Sequence, residues 1–299
     1  MYSNVFWFEN EFGFNETKEN IAKFAIYDGN KLHCPNGEYS VGTFEQRFYD
    51  SFNYDHNWNC DSIESKINFI NEDIMVLQAD PEFNHATFQI ASNFNCLESK
   101  GRLQKPSDGI QMYVYDKTQG PAASISCGAS TLVRNYFLPS VNLLSKTPIR
   151  VINGYPIMLD NDSEEIMNYN WDDLTNYSIG VGKDFEVITD GKRIIRPNSQ
   201  FVNQAFCSEL SFGYEVSNTE FHHKISANIM RANTAMTIAA AIEMHSDKCV
   251  LSPCGLGSFA NKCENVAKGI KDAIHILGNA NITIYLNRAD DALKRQILN

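Results

Sequence analysis

The chain has 299 residues, 43% of them hydrophobic and 12% aromatic, so it can bury a substantial core and is not a disordered segment. Its formal net charge is −11, which argues against non-specific binding of nucleic acid or of an anionic membrane surface. It contains no apolar run of roughly 18 residues, the length a membrane-spanning helix needs. The first ten residues, MYSNVFWFEN, lack the basic start and apolar centre of a leader peptide. Eight scattered cysteines without a CxxC pair suit a reduced, cytoplasmic setting.

Residues 1–73 are rich in aromatics, Asn and Asp, and we read them as an extension packed on a main domain spanning 74–299. Within the extension, Phe44–Phe52 and Ile63–Ile70 are predicted as short helices. Ile74–Leu77 and Ala86–Ala91 are predicted as strands, the second ending at Ser92-Asn93. The polar stretch Glu98–Gly109 reads as loop, and Ile110–Tyr115 alternates as a short strand should. It leads to Asp116-Lys117-Thr118-Gln119-Gly120-Pro121, a glycine turn that opens a helix. Residues 138–200 read as an insertion, with Asn161–Asp173 acidic and polar. Asp190-Gly191 is a turn signal between Phe185–Ile188 and Arg193–Ile195.

Phe201–Phe212 is predicted as a strand, and Ile225 to Ile242 as a long helix with an alanine-rich face. The apolar run Cys249-Val250-Leu251 then breaks into Gly255-Leu256-Gly257-Ser258, and an amphipathic helix resumes with Val266, Ile270, Ile274 and Leu277 on one face. Ile282–Leu286 is predicted to close the sheet. Strands alternating with helices point to an α/β domain with a largely parallel sheet. A strand, a glycine turn and a helix start gather backbone N–H groups around one point, which suits a phosphate; such turns also serve packing alone.

Two such junctions carry a resemblance. Ala91-Ser92-Asn93 with Thr118–Ile125 resembles the first ligand loop of macrodomains, and Leu251–Phe259 resembles their phosphate-holding second loop. Asp116 and Gln119-Gly120-Pro121, with Arg134-Asn135-Tyr136 further on, resemble the MavL-type effector branch, associated with removing ADP-ribose from ubiquitin. The resemblance implies a three-layer α/β/α fold with a mixed, largely parallel central sheet. It also implies ADP-ribose or an ADP-ribosylated protein such as ubiquitin as ligand, and a host cytosol as destination if the chain is an effector. The ligand contacts it implies are Asn93, Gln119, Gly120, Pro121, Ser252, Cys254, Gly255, Leu256, Gly257, Ser258 and Phe259. The chain departs from the family in lacking a triple glycine in the first loop, and Gln-Glu-Glu, so a paired-glutamate cleavage of polymer is not expected.

Cleaving an ADP-ribosyl bond develops positive charge at the ribose anomeric carbon and needs an oriented water, tasks for carboxylates. Asp108 and Asp116, flanking the segment into the first loop, are the predicted catalytic pair. Each also has a plain reading: Asp108 as a turn residue, Asp116 as a cap, Asn93 as an Asx turn. His245, Cys249, Cys254 and Cys263 have spacings that match no zinc site, so neither a metal nor a cofactor is expected. His222-His223 reads as a surface pair. Three functions stay open: an ADP-ribosyl hydrolase, a non-catalytic ADP-ribose reader, and an unrelated nucleotide-binding α/β protein. The missing Gly-x-x-x-x-Gly-Lys-Ser/Thr disfavours a P-loop form of the third.

Overall fold

A computed structural model describes residues 6–116, 118–159, 163–192, 195, 199–212, 214 and 216–299. Lys117, Asn161 and the Arg193-Ile194 part of the expected hairpin lie outside the described residues. The chain opens with α1 (Trp7–Phe12) and α2 (Lys18–Phe24), followed by a small antiparallel sheet of β1 (Ile26–Tyr27), β2 (Lys31–Cys34) and β3 (Gly37–Ser40). Trp7, Phe8 and Phe12 are fully buried in edge-to-face contact. Burial of each such ring contributes roughly 1.5–3 kcal/mol. Then come β4 (Thr43–Phe48), β5 (Ile67–Ile70), α3 (Ile74–Ala79), β6 (Thr87–Ala91), α4 (Gln119–Ser126) and α5 (Gly128–Tyr136). A hairpin of β7 (Arg150–Ile152) and β8 (Tyr155–Ile157) precedes α6 (Glu164–Asn168) and β9 (Ser178–Glu186). The chain finishes with β10 (Phe201–Cys207), α7 (Glu220–Glu243), β11 (Lys248–Leu251), α8 (Cys263–Leu277), β12 (Thr283–Asn287) and α9 (Asp291–Leu298).

The central sheet has seven strands in the order β4-β9-β10-β6-β11-β12-β5. From β10 to β5 the neighbours run parallel, while β4, β9 and β10 pair antiparallel. Alternation along β10 sets the layers. Gln204 bonds the Ala123 carbonyl of α4, and Arg134 of α5 lies 4.0 Å over the Phe206 ring. Cys207, on the opposite face, contacts Asn233 and Thr237 of α7. The arrangement is the expected α/β fold, a mixed and largely parallel sheet between two helical layers. Among the described residues no helix is long and apolar enough to cross a membrane.

Several local expectations are corrected. Ile74–Leu77 belongs to helix α3, started by Asp73, whose side chain accepts the Met75 N–H. Phe44–Phe52 is not a helix: β4 pairs with β9 from Thr43↔Lys183 to Phe48↔Ser178. Ile63–Ile70 is likewise no helix, its end forming β5 against β12. Thus residues before 74 supply both sheet edges, and β12 is an interior strand. β9, from within 138–200, pairs with β4 and β10; among the described residues the Ile195 N–H to Ile188 carbonyl bond echoes the expected hairpin. Ile110–Tyr115 is a 3-10 turn because the Glu16 carboxylate takes the Ile110 and Gln111 N–H groups that a strand would offer a neighbour. His222 and His223 are buried on α7, His223 bonded to Asn218 and packed on Phe212.

Candidate active site

β6 and β11 are parallel neighbours, and the chain leaves β6 toward β10 on one side and reaches β11 on the other. Their carboxyl ends therefore mark the crossing point where an open α/β sheet leaves a crevice. The two glycine junctions singled out from the sequence follow these two strand ends.

The first loop begins with Ser92, whose N–H bonds the Cys207 carbonyl at the end of β10. Asn93 is buried, and its Nδ2 donates to the Ser99 hydroxyl at 2.9 Å, so its amide serves the loop itself. Asp108 closes a short 3-10 turn and accepts the Lys105 N–H at 2.9 Å. Gly109 follows with φ +94°, and a β-carbon there would lie 2.6 Å from Glu16 Oε2. The same Glu16 accepts the Ile110 and Gln111 N–H groups and the Tyr136 hydroxyl at 2.8 Å. Asn135 donates to the Pro106 carbonyl at 3.0 Å. The Asp108 loop is thus clamped between α5 and the N-terminal segment.

At the far end of this loop, Asp116 Oδ1 accepts both the N–H and the hydroxyl of Thr118, at 2.9 and 2.7 Å. Helix α4 starts at Gln119, so Pro121 is its third residue. A β-carbon on Gly120 would meet the Ala91 carbonyl oxygen at 2.0 Å and Glu98 Oε2 at 2.7 Å, an approach that only glycine permits. Gln119 accepts the Ala91 N–H and donates to the Gln89 carbonyl and, at 3.2 Å, to the Ser252 hydroxyl.

In the second loop, Ser252 bonds Gln89 through both its N–H and its hydroxyl. Gly255 takes φ +89° against Asn261, Glu209 and Met230. The Cys254 thiol is buried, which pushes its pKa well up and makes it a packing group rather than a nucleophile. Helix α8 starts at Cys263, and between it and the glycine turn stands a run of turns held by Ala260 N–H to Gly257 carbonyl and Asn261 N–H to Gly255 carbonyl, so the turn does not open the helix itself. Open space faces the β-position of Gly257. Among the described residues, the N–H groups of Gly255, Gly257, Ser258 and Phe259 donate to no protein acceptor. Leu256, whose N–H bonds the Pro253 carbonyl, braces the turn. Neighbouring backbone N–H groups left free in this way are available to an anion. The Phe259 ring stands 6.2 Å from those of Tyr155 and Tyr214.

A cleft of about 260 Å³ opens beside the first loop, lined by Glu98, Lys100, Asp108, Met112, Tyr113, Asp116 and Pro121 among others. Asp108, Asp116 and Pro121 are brought together here as wall residues. Asn93 and the second-loop residues do not line it. They adjoin it through the Gln119–Ser252 bond and through Tyr155, which donates to the Ser99 carbonyl at 2.6 Å.

Glu98 is the wall residue that sequence reasoning missed. Burial pushes its carboxyl up to about 8; Arg134 opposes the shift and Asp116 adds to it. Its Oε1 is buried without a hydrogen-bond partner. A strongly shifted carboxyl in a cleft beside other acids is a mark of functional sites. Among the described residues, no His, Cys, Asp or Glu side chains cluster as a metal site, and all eight cysteines are free.

No family model and no curated protein matches the chain. Solved structures do. A mutant poly(ADP-ribose) glycohydrolase from Deinococcus radiodurans, in complex with ADP-ribose, superposes with a TM-score of 0.50 at 10% identity, covering 85% of this chain and 91% of that one. The poly(ADP-ribose) glycohydrolase from Thermomonospora curvata gives a TM-score of 0.50 at 11% identity, with 94% of each chain covered. The likeness establishes the fold.

Proposed function

We propose that this chain binds ADP-ribose across its two loops and hydrolyses the bond joining ADP-ribose to a modified protein. The observation that carries the reading is the convergence of Asp108 and Asp116 on one cleft, beside a loop of unpaired N–H groups. The free N–H groups at Gly255–Phe259 take the pyrophosphate, for which uncharged backbone donors suffice even in a chain of net charge −11. The cleft then receives the distal ribose and the linked side chain. One aspartate orients or deprotonates the attacking water, and the other stabilises positive charge at the anomeric carbon. The ADP-ribose complex of the Deinococcus glycohydrolase, which shares the fold, supports this ligand.

The resemblance to the MavL-type branch makes ubiquitin the first modified protein to test. Calorimetric titration with ADP-ribose, beside AMP and ATP, tests the ligand, and release of ADP-ribose from modified ubiquitin tests the reaction. Tight ADP-ribose binding without release from any modified protein would establish a reader instead. Binding of AMP or ATP in preference to ADP-ribose would overturn the proposal.

A further inference from the structure

We infer that Glu98 is the proton donor of this site, and that the bond cleaved leaves through an alkyl oxygen or a nitrogen rather than through an acyl ester. The inference rests on the hydrolase reading above and deepens it by naming the class of linkage.

The three acids of the cleft are held in different ways. Asp108 and Asp116 each spend an oxygen on their own loop, accepting Lys105 and Thr118 N–H groups. Glu98 is held differently. The Tyr113 hydroxyl accepts the Glu98 N–H at 3.1 Å, fixing the backbone, and the absent β-carbon of Gly120 leaves room for the carboxyl. Oε1 then stays buried with its hydrogen-bonding capacity unused. The carboxyl itself stands in the cleft wall with Asp108 and Asp116, and burial without a partner for Oε1 favours its neutral, protonated form.

The groups facing Glu98 are Arg134 from α5, Asp116 and Tyr113 from the first loop, the Ser92 hydroxyl, which bonds the carboxyl and favours its charged form, and Cys96, Tyr155 and Cys254. Burial outweighs Arg134, so the carboxyl keeps its proton at neutral pH. Carboxyl groups in contrasting environments divide into acid and base.

Water forms a bond to the anomeric carbon as the bond from that carbon to the leaving atom breaks. The electron pair goes to the leaving atom, which takes the Glu98 proton, and Asp116 takes a proton from the water. Solvent then returns the proton from Asp116 to Glu98. An alkoxide is a poor leaving group and needs this proton, and a departing guanidine, a strong base, takes it up. A carboxylate leaves as a stable anion and does not, so a buried acid serves the first class of bond.

The test uses the full chain and its Glu98→Gln variant on four substrates. ADP-ribose is attached at its anomeric carbon to a serine peptide, an arginine peptide, a glutamate-ester peptide, or 4-nitrophenol. ADP-ribose titration confirms that the variant folds and binds. We expect the wild type to cleave the serine or the arginine peptide faster than the ester. Glu98→Gln should lose ~10²-fold or more on that peptide. On the nitrophenyl compound, whose leaving group needs no proton, it should stay within about threefold. Wild-type kcat/KM on the peptide should also fall as pH rises through about 8, and the variant should lack that limb.

Equal loss on peptide and nitrophenyl substrates, or undiminished activity on the peptide, would overturn the assignment of Glu98. Preference of the wild type for the glutamate ester would overturn the linkage class while leaving the hydrolase reading intact. A wild type inactive on all four would sink the hydrolase reading itself, and the inference with it.

Discussion

Gln119 donates its Nε2 hydrogen to the Ser252 hydroxyl at 3.2 Å while its Oε1 accepts the Ala91 N–H at 2.9 Å. One amide therefore fixes the start of α4 against the ends of two adjacent parallel strands, and with them the relative placement of both loops. Removing it takes the acceptor from the Ala91 N–H and one partner each from the Gln89 carbonyl and the Ser252 hydroxyl, which keep their bond to each other, at about 1 kcal/mol for each bond lost. Gln119→Ala should weaken ADP-ribose binding about tenfold, read by calorimetry. An unchanged affinity would mean that the two loops hold the ligand independently.

Gly257→Glu probes the proposed pyrophosphate site. Open space at this β-position lets the longer side chain fit without refolding the loop, but it brings a carboxylate to where a phosphate should sit. ADP-ribose affinity should fall by ~10²-fold or more with little change in melting temperature, since like charges at short range repel strongly. Full affinity in the variant would move the pyrophosphate elsewhere.

Asp116→Asn separates charge from shape. An asparagine Oδ1 can still accept the two Thr118 bonds, so the turn and the binding of free ADP-ribose should survive. Turnover should drop by ~10²-fold or more. Asp108→Asn keeps an acceptor for the Lys105 N–H and should behave similarly. Release of ADP-ribose from modified protein, with binding measured in parallel, decides between this outcome and a purely structural role.

Glu16 acts at a distance. Its carboxylate holds the Ile110 and Gln111 N–H groups and the Tyr136 hydroxyl, so Glu16→Ala frees the loop between the two aspartates. The variant should lose kcat more than it loses affinity, because positioning of the acids suffers while the second loop stays intact. Tyr136→Phe removes a single bond and should give a smaller loss in the same direction.

The pH dependence of stability follows from Glu98. The folded chain holds the proton up to about pH 8, against an ordinary carboxyl value of 4.5. Between those values the unfolded chain has released a proton that the folded chain still binds, so stability falls as pH rises. The contribution is complete below the lower value and lost through the upper one. Glu11, raised to about 7, acts in the same direction and stays in place in the variant. The melting temperature of the wild type should fall between about pH 5 and 8.5 more steeply than that of Glu98→Gln. Parallel profiles would show that Glu98 does not titrate in that window.

The sequence was informative where periodicity was long or turn chemistry strong. The helix α7, the face of α8 through Val266, Ile270 and Ile274, and the strands β6 and β11 were legible, whereas the segment directly before the first glycine turn was not. Short apolar runs were not. Phe44, Phe48 and Phe52 recur at helical spacing, yet pairing with β9 makes the segment through Phe48 a strand. The reverse holds at Ile74–Leu77, where the cap supplied by Asp73 was the readable signal. In the site, Asp108 and Asp116 stood out because acids beside a glycine turn carry a local pattern. Glu98 sits in a polar stretch, and its burial comes from Gly120, Tyr113 and Arg134, which only the folded chain brings near it.

The position of β5 bears on how the molecule assembles during synthesis. Ile67 pairs with Ile284, and Phe48 of the opposite edge with Ser178, so strands made early must wait for partners made much later. Such pairings fold slowly, because a long loop must close before any contact rewards it. A ribosome-bound chain stopped before β12 holds β5 with an unpaired edge, which is an aggregation hazard. Release of the last strand, rather than emergence of the first loop, therefore marks the moment at which the sheet can close.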